Sequence, residues 1–184
     1  MMMNKKNAVC VFVLIAALTA LILVITVYNR AKINVSLVTE KIEAVLPPYT
    51  QGTAEMRYNS EMPMMSVDGN DYVGILEIPS KNIKLPVCSS WDEYKVRSVP
   101  CRYTGSIYGN LVIGGTNTSE NFEFLNVLDK GEKIRFIDMT GNMYIYTVFS
   151  ISHKNNFDLE LTDNELVLFT YLNDVSKYVF VNCE

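Results

Sequence analysis

The chain has 184 residues, a formal net charge of −4 and 49% hydrophobic residues, with a mean hydropathy of +0.12 and a pI near 5.1. That length suits one domain with additional elements, and an acidic chain without a basic stripe excludes nucleic acid as a partner. The mean hydropathy is high for a chain that stays wholly in water, and one segment accounts for it.

Residues 8–27 form an uncharged apolar run. At ~1.5 Å per helical residue, about 20 residues cross the ~30 Å hydrocarbon core of a bilayer. A cleaved signal peptide would carry a shorter apolar region and a small-x-small cleavage site, and nothing of that kind follows Val27. The run therefore reads as an uncleaved transmembrane anchor, with residues 1–7 a cytoplasmic tail. Lys5 and Lys6 precede it and Arg30 and Lys32 follow it, so the flanking positive charge is nearly balanced. A tail of a few residues against a whole C-terminal domain favours the N-terminus inside and the domain outside.

Residues 28–46 read as a helical stalk. Val38, Ile42 and Val45 recur at helical spacing and Pro47-Pro48 ends the pattern; heptads are not sustained, which argues against a coiled coil. Residues 47–71 have no period and read as a linker, whose methionines suit packing against a domain.

The domain spans 72–184. Tyr72 to Ile78 and Ile83 to Val87 read as strands, Trp91 to Val96 as a helical turn, and Leu111 to Ile113 as a short strand. Phe122, Leu125 and Leu128 fit a short helix. Glu132 to Ile137 and Met143 to Ile151 are strands joined by a glycine-containing hairpin turn at Met139 to Asn142. Leu166 to Thr170 and Tyr178 to Val181 flank a loop, Leu172 to Lys177, that brings Tyr171 and Tyr178 to one rim. Seven or eight short strands argue a single all-β domain, barrel or sandwich, with a few helical turns. Leu76, Ile78, Val112, Phe136, Leu168 and Val179 are expected to share one core.

Gly74-Ile-Leu-Glu-Ile-Pro79 followed by Leu85-Pro86-Val87 resembles the opening strands of a sortase. Pro100-Cys-Arg-Tyr-Thr-Gly-Ser106, leading into Gly109-Asn-Leu-Val-Ile-Gly-Gly115, is similar to the sortase segment that ends in the catalytic histidine. Phe136-Ile-Asp-Met-Thr-Gly-Asn142 keeps the family order, and Leu166-Val-Leu-Phe-Thr170 is similar to the strand that delivers the catalytic cysteine. The resemblance covers Tyr72 to Glu184. It implies an eight-stranded β-barrel and a cysteine transpeptidase, in which a thiolate attacks a sorting-signal peptide bond. A histidine then serves as acid and base, an arginine steadies the oxyanion or peptide, and the acyl group passes to an amine of the cell wall or of a pilin.

The resemblance maps the histidine onto Thr116, the cysteine onto Tyr171, and the arginine onto Tyr178, or onto Lys177 if the loop shifts by one. All three are changed. Phenols ordinarily titrate near about 10 and need a base to attack, and a threonine cannot cycle a proton near neutrality as imidazole does. A phenol lacks both the charge and the fork of guanidinium. The expectation is a catalytically inactive pseudosortase in which Thr116, Tyr171 and Tyr178 bind rather than react. Its partners would be a peptide or surface-protein ligand, an active sortase or a pilin. The alternative is an active sortase-type transpeptidase or cysteine peptidase that uses unrecognised residues.

Other reactive groups are few. His153 is the single histidine and reads as an exposed loop residue. Cys88, Cys101 and Cys183 lie in the domain and read as a structural disulfide or buried thiols rather than a relocated nucleophile; Cys10 lies in the apolar run. Asp158, Glu160, Asp163 and Glu165 read as a solvated acidic loop rather than a calcium site. Gly114-Gly115 is no phosphate cradle, because no Gly-Lys-Ser/Thr follows. No cofactor and no metal are expected.

Overall fold

The computed structural model describes residues 5–52, 61–159, 165–172 and 176–184, and along its first helix the side chains of 11–25 and 35–45. It divides into two units, Met1–Asn34 and Val35–Glu184.

The first unit holds most of helix α1 (Lys5–Val45). Its described side chains are exposed and, Thr19 apart, apolar, Phe12, Leu14 and Leu18 among them. Among the described residues no helix is long and apolar enough to cross a membrane. The ends of the expected anchor, 8–10 and 26–27, have side chains outside the described residues, as do residues 1–4 of the expected tail.

The second unit is all-β. Two short strands, β1 (Thr50–Gln51) and β2 (Met65–Val67), precede β3 (Asn70–Ile78), β4 (Ile83–Cys88), β5 (Cys101–Ser106), β6 (Gly109–Thr116), β7 (Lys133–Asp138), β8 (Asn142–Lys154), β9 (Leu166–Leu172) and β10 (Lys177–Cys183). The last eight close a ring, because β7 joins β3 to β8 and completes the path β8-β10-β9-β6-β5-β4-β3. Closure removes the exposed edges that an open sheet would carry. Three 3-10 turns, at Pro79–Lys81, Lys95–Arg97 and Glu123–Val127, replace the short helices.

Strand alternation sorts side chains into an interior and two outer patches. Leu76, Ile78, Phe136, Leu168 and Val179 are fully buried in the interior cluster, which Phe122 and Leu125 plug. Val112, expected among them, is buried elsewhere. It lies in an outer cluster with Val167, Phe169 and Phe180, because it is one residue out of phase with Leu111 and Ile113.

The second outer patch gathers Tyr72, Ile75, Cys88 and Cys101, and the end of α1 covers it: Val38 and Ile42 are buried there. The later part of the expected stalk, from Val35, therefore packs on the barrel rather than standing clear of it. Lys84 ties this end of α1 down through Glu43, at 2.5 Å. Part of the expected linker also adheres, with Met62 buried in the interior cluster; residues 53–60 lie outside the described set.

Two buried carboxylates are matched locally. Glu77 stands between its register partners Lys84 and Arg135, at 3.1 and 3.8 Å. Asp138 accepts from the backbone of Thr140 and Asn142, at 2.8 and 2.9 Å, and from the Thr140 hydroxyl at 2.7 Å. That carboxylate shapes the β7–β8 hairpin, where Gly141 takes φ +83°, a conformation that favours glycine.

Leu168 is wholly buried in the interior, so Leu168→Ala is expected to cost about 2–5 kcal/mol. Denaturant unfolding checks this, and a change within about 0.5 kcal/mol contradicts the packing described.

Candidate functional site

The parallel pairing of β6 with β9 sets Thr116 beside Tyr171, and the antiparallel pairing of β9 with β10 sets Tyr171 beside Tyr178. The three positions thus lie side by side on neighbouring strands. They face outward, since Phe169 and Phe180, two residues away, belong to the outer cluster. The rings of Tyr171 and Tyr178 meet at 4.9 Å between centroids.

Residues from connecting segments extend this surface. Trp91 stacks on Phe169 at 5.8 Å, and Tyr103 of β5 meets both rings edge-on at 5.4 Å. Phe157 bridges Phe169 and Tyr178, at 5.1 and 5.5 Å. Offset and edge-to-face pairs of this kind contribute roughly 0.5–1.5 kcal/mol each beyond area burial. With Thr116, Tyr171 and Tyr178 they line a cleft of about 570 Å³.

Two adjacent glycines permit close packing on the two faces of β6. A Cβ on Gly114 would lie 2.4 Å from the Phe169 ring and 2.6 Å from that of Trp91. On Gly115, facing inward, it would meet Asn121 Oδ1 at 2.4 Å and the Phe122 ring at 2.6 Å. Any side chain at Gly114 would separate the stacked rings.

The cleft wall at 91–97 is held by polar contacts. The Asp92 carboxylate accepts from the backbone N–H groups of Tyr94 and Lys95, at 2.8 and 2.9 Å; those bonds hold its carboxyl below the usual range. Asn121 is buried, and its Nδ2 donates to Val96 O at 2.9 Å and to Thr116 Oγ1 at 3.2 Å. The Thr116 hydroxyl points at Val96 O and Arg97 O, at 3.3 and 3.4 Å, so its one proton serves the wall. Asn121 Oδ1 and Thr170 Oγ1 are buried and find no hydrogen-bond partner among the described residues.

Charge in the cleft is sparse. Glu93 accepts from Trp91 Nε1 at 3.1 Å, and the Arg97 guanidinium lies over the Tyr94 ring at 5.7 Å. None of the described lining residues is a cysteine or histidine. The groups present can stack on apolar and planar surfaces and exchange hydrogen bonds.

The other candidates lie apart. His153 is exposed near the end of β8 and pairs with Val179, whose side chain enters the interior. Cys88, Cys101 and Cys183 are buried and do not line the cleft. Lys177 is exposed in β10. Asp158 pairs with Lys154 at 3.0 Å, while Glu160 and Asp163 lie outside the described residues. Trp91, Tyr103, Phe157 and Asn121 are the site residues that sequence reasoning missed. A tryptophan in a polar stretch was the one available signal.

No family model matches the chain, and no curated protein matches it. Solved structures do. The chain is similar to sortase C from Clostridium perfringens SM101, with a TM-score of 0.54 and 20% identity over 62% of this chain and 69% of that one. It is similar to Clostridium perfringens sortase C with the C-terminal cell wall sorting motif, at 0.55 and 20% over 62% and 70%. It is also similar to Listeria monocytogenes sortase A, at 0.54 and 19% over 61% and 87%. The chain has the sortase fold.

Trp91 is the single tryptophan, so its fluorescence reports the cleft. Gly114→Ala is expected to push Trp91 off Phe169 and shift its emission to longer wavelength while far-ultraviolet circular dichroism stays unchanged. Unaltered emission in the folded variant contradicts the close approach at Gly114.

Proposed function

We propose that this protein is a catalytically inactive, sortase-like module that holds an extended peptide segment of a surface protein, a pilin or an active sortase in its aromatic cleft. The observation that carries this reading is the lateral series Thr116, Tyr171, Tyr178. The positions that resemblance assigns to imidazole, thiol and guanidinium carry a hydroxyl committed to the wall and two phenols packed against each other. A peptide ligand draws support from the neighbour solved with a cell wall sorting motif. Aromatic surface suits it, since rings contribute large contact area at low entropic cost. The uncharged run at 8–27 and the whole domain C-terminal to it support a single-pass anchor in the cell membrane, with the domain outside.

The test uses the full-length chain in detergent, titrated with sorting-signal peptides. Binding is expected to change Trp91 emission, and mass spectrometry is expected to find neither cleavage nor transfer. Tyr171→Ala and Tyr178→Ala each remove an aromatic contact worth ~0.5–1.5 kcal/mol and should weaken binding about three- to tenfold. Turnover that survives Tyr171→Phe but vanishes on changing Cys88, Cys101 or Cys183 would overturn the reading in favour of an active cysteine enzyme.

Topology is tested separately. Protease added to intact cells is expected to degrade the domain, and protection of everything beyond Tyr72 contradicts the orientation.

A further inference from the structure

Cys88 ends β4 and Cys101 begins β5, and the two are direct register partners in the parallel pairing of these strands. The Cys88 N–H donates to Pro100 O at 2.9 Å, which fixes that register. Paired strands run about 4.8 Å apart, inside the roughly 4.4–6.8 Å between α carbons that a disulfide spans. Both side chains enter the same buried cluster, so they lie on one side of the sheet, where the Cys101 thiol donates to Val99 O at 3.6 Å. Cys183 lies in the other, interior cluster, opposite Leu166 and Val148. Burial pushes its thiol up to about 12.

We propose that Cys88 and Cys101 are a paired oxidation site that closes into an intramolecular disulfide, clasping the base of the cleft wall, while Cys183 remains a thiol. The segment between them carries Trp91, Glu93, Val96 and Arg97, which line one side of the cleft. Thr116 and Asn121 hold that segment near its far end, and the disulfide ties its two roots together. The proposal stands whether or not the cleft binds a peptide.

The oxidant is a disulfide-bearing compound. One cysteine, as thiolate, attacks it, forms a mixed disulfide and expels the first thiolate. The second cysteine, also deprotonated, attacks the mixed disulfide and expels the second thiolate. The protein loses two protons and two electrons, and the oxidant's disulfide is reduced to two thiols. With Cys88 at 2% exposure and Cys101 at none, exchange takes place as the strands come together in folding.

The test refolds the reduced full-length chain in detergent with reduced and oxidised glutathione, quenches with acid, alkylates under denaturing conditions and digests with trypsin. Cleavage after Lys95 and Arg97 separates the two cysteines, so the bond links peptide 85–95 to peptide 98–102. The expected result is that linked pair, lighter by two hydrogens than its two parts, with loss of alkylation at Cys88 and Cys101 together and full alkylation at Cys183. Cys101→Ser is expected to leave Cys88 alkylated or bound to glutathione, and Cys88→Ser to do the same for Cys101. Alkylation at both positions throughout the oxidising range, or a link from either to Cys183 or Cys10, overturns the proposal.

Discussion

The structure depends on the register between β6 and β9. Six residues, Leu111 to Thr116, pair in parallel with Leu166 to Tyr171. Alternation then commits every side chain. Leu111, Ile113, Leu166 and Leu168 enter the interior, and Val112, Val167 and Phe169 face out. A slip of β9 by one residue would turn Leu166 and Leu168 into the cleft and drive Phe169 and Tyr171 inward. The core therefore enforces the site: the burial that stabilises the barrel also sets Thr116 beside Tyr171 and aims Phe169 at Trp91.

That coupling explains what the cleft is made of. Three adjacent strands present an outward row whose lower part is apolar and whose upper part ends in hydroxyls. Gly114 leaves the gap into which Trp91 and Phe169 stack, and Thr116 is short enough for its hydroxyl to reach the wall carbonyls. The two phenol rings meet each other at a tilt, and Tyr178 also meets Phe157 edge-on. Within this arrangement an oxygen either bonds to the wall or stands at the edge of a ring.

The barrel was legible where strands alternate. Tyr72 to Ile78, Ile83 to Val87 and the closing pair at 166–181 were expected and are present. β5 was not, because Cys101 to Ser106 carries little apolar alternation and its pairing with β6 is broken by two register shifts. Val112 was assigned to the wrong side because an unbroken run such as Leu-Val-Ile does not reveal which residues face in when both faces are covered. Thr116, Tyr171 and Tyr178 were legible through resemblance, which supplied the register. Trp91 and Phe157 come from connecting segments without a period, and Asn121 acts through a hydrogen bond that no spacing announces.

The two outer patches show why the cleft, rather than another surface, is open to a guest. A closed barrel whose strands are apolar on both faces leaves outer apolar surface that needs cover. Around Ile75 and Tyr72 the chain supplies that cover itself, with Val38 and Ile42 of α1 buried against the strands. Around Phe169 and Phe180 no helix arrives among the described residues; the cover is the rings of Trp91 and Phe157 with Leu159 and Tyr178, and Tyr171 remains 38% exposed. Rings arriving singly from loops leave gaps that a helix does not. The unfilled volume lies on this patch, beside a wall held by Asn121 and Thr116, and a bound chain would complete there the cover that α1 provides on the other patch.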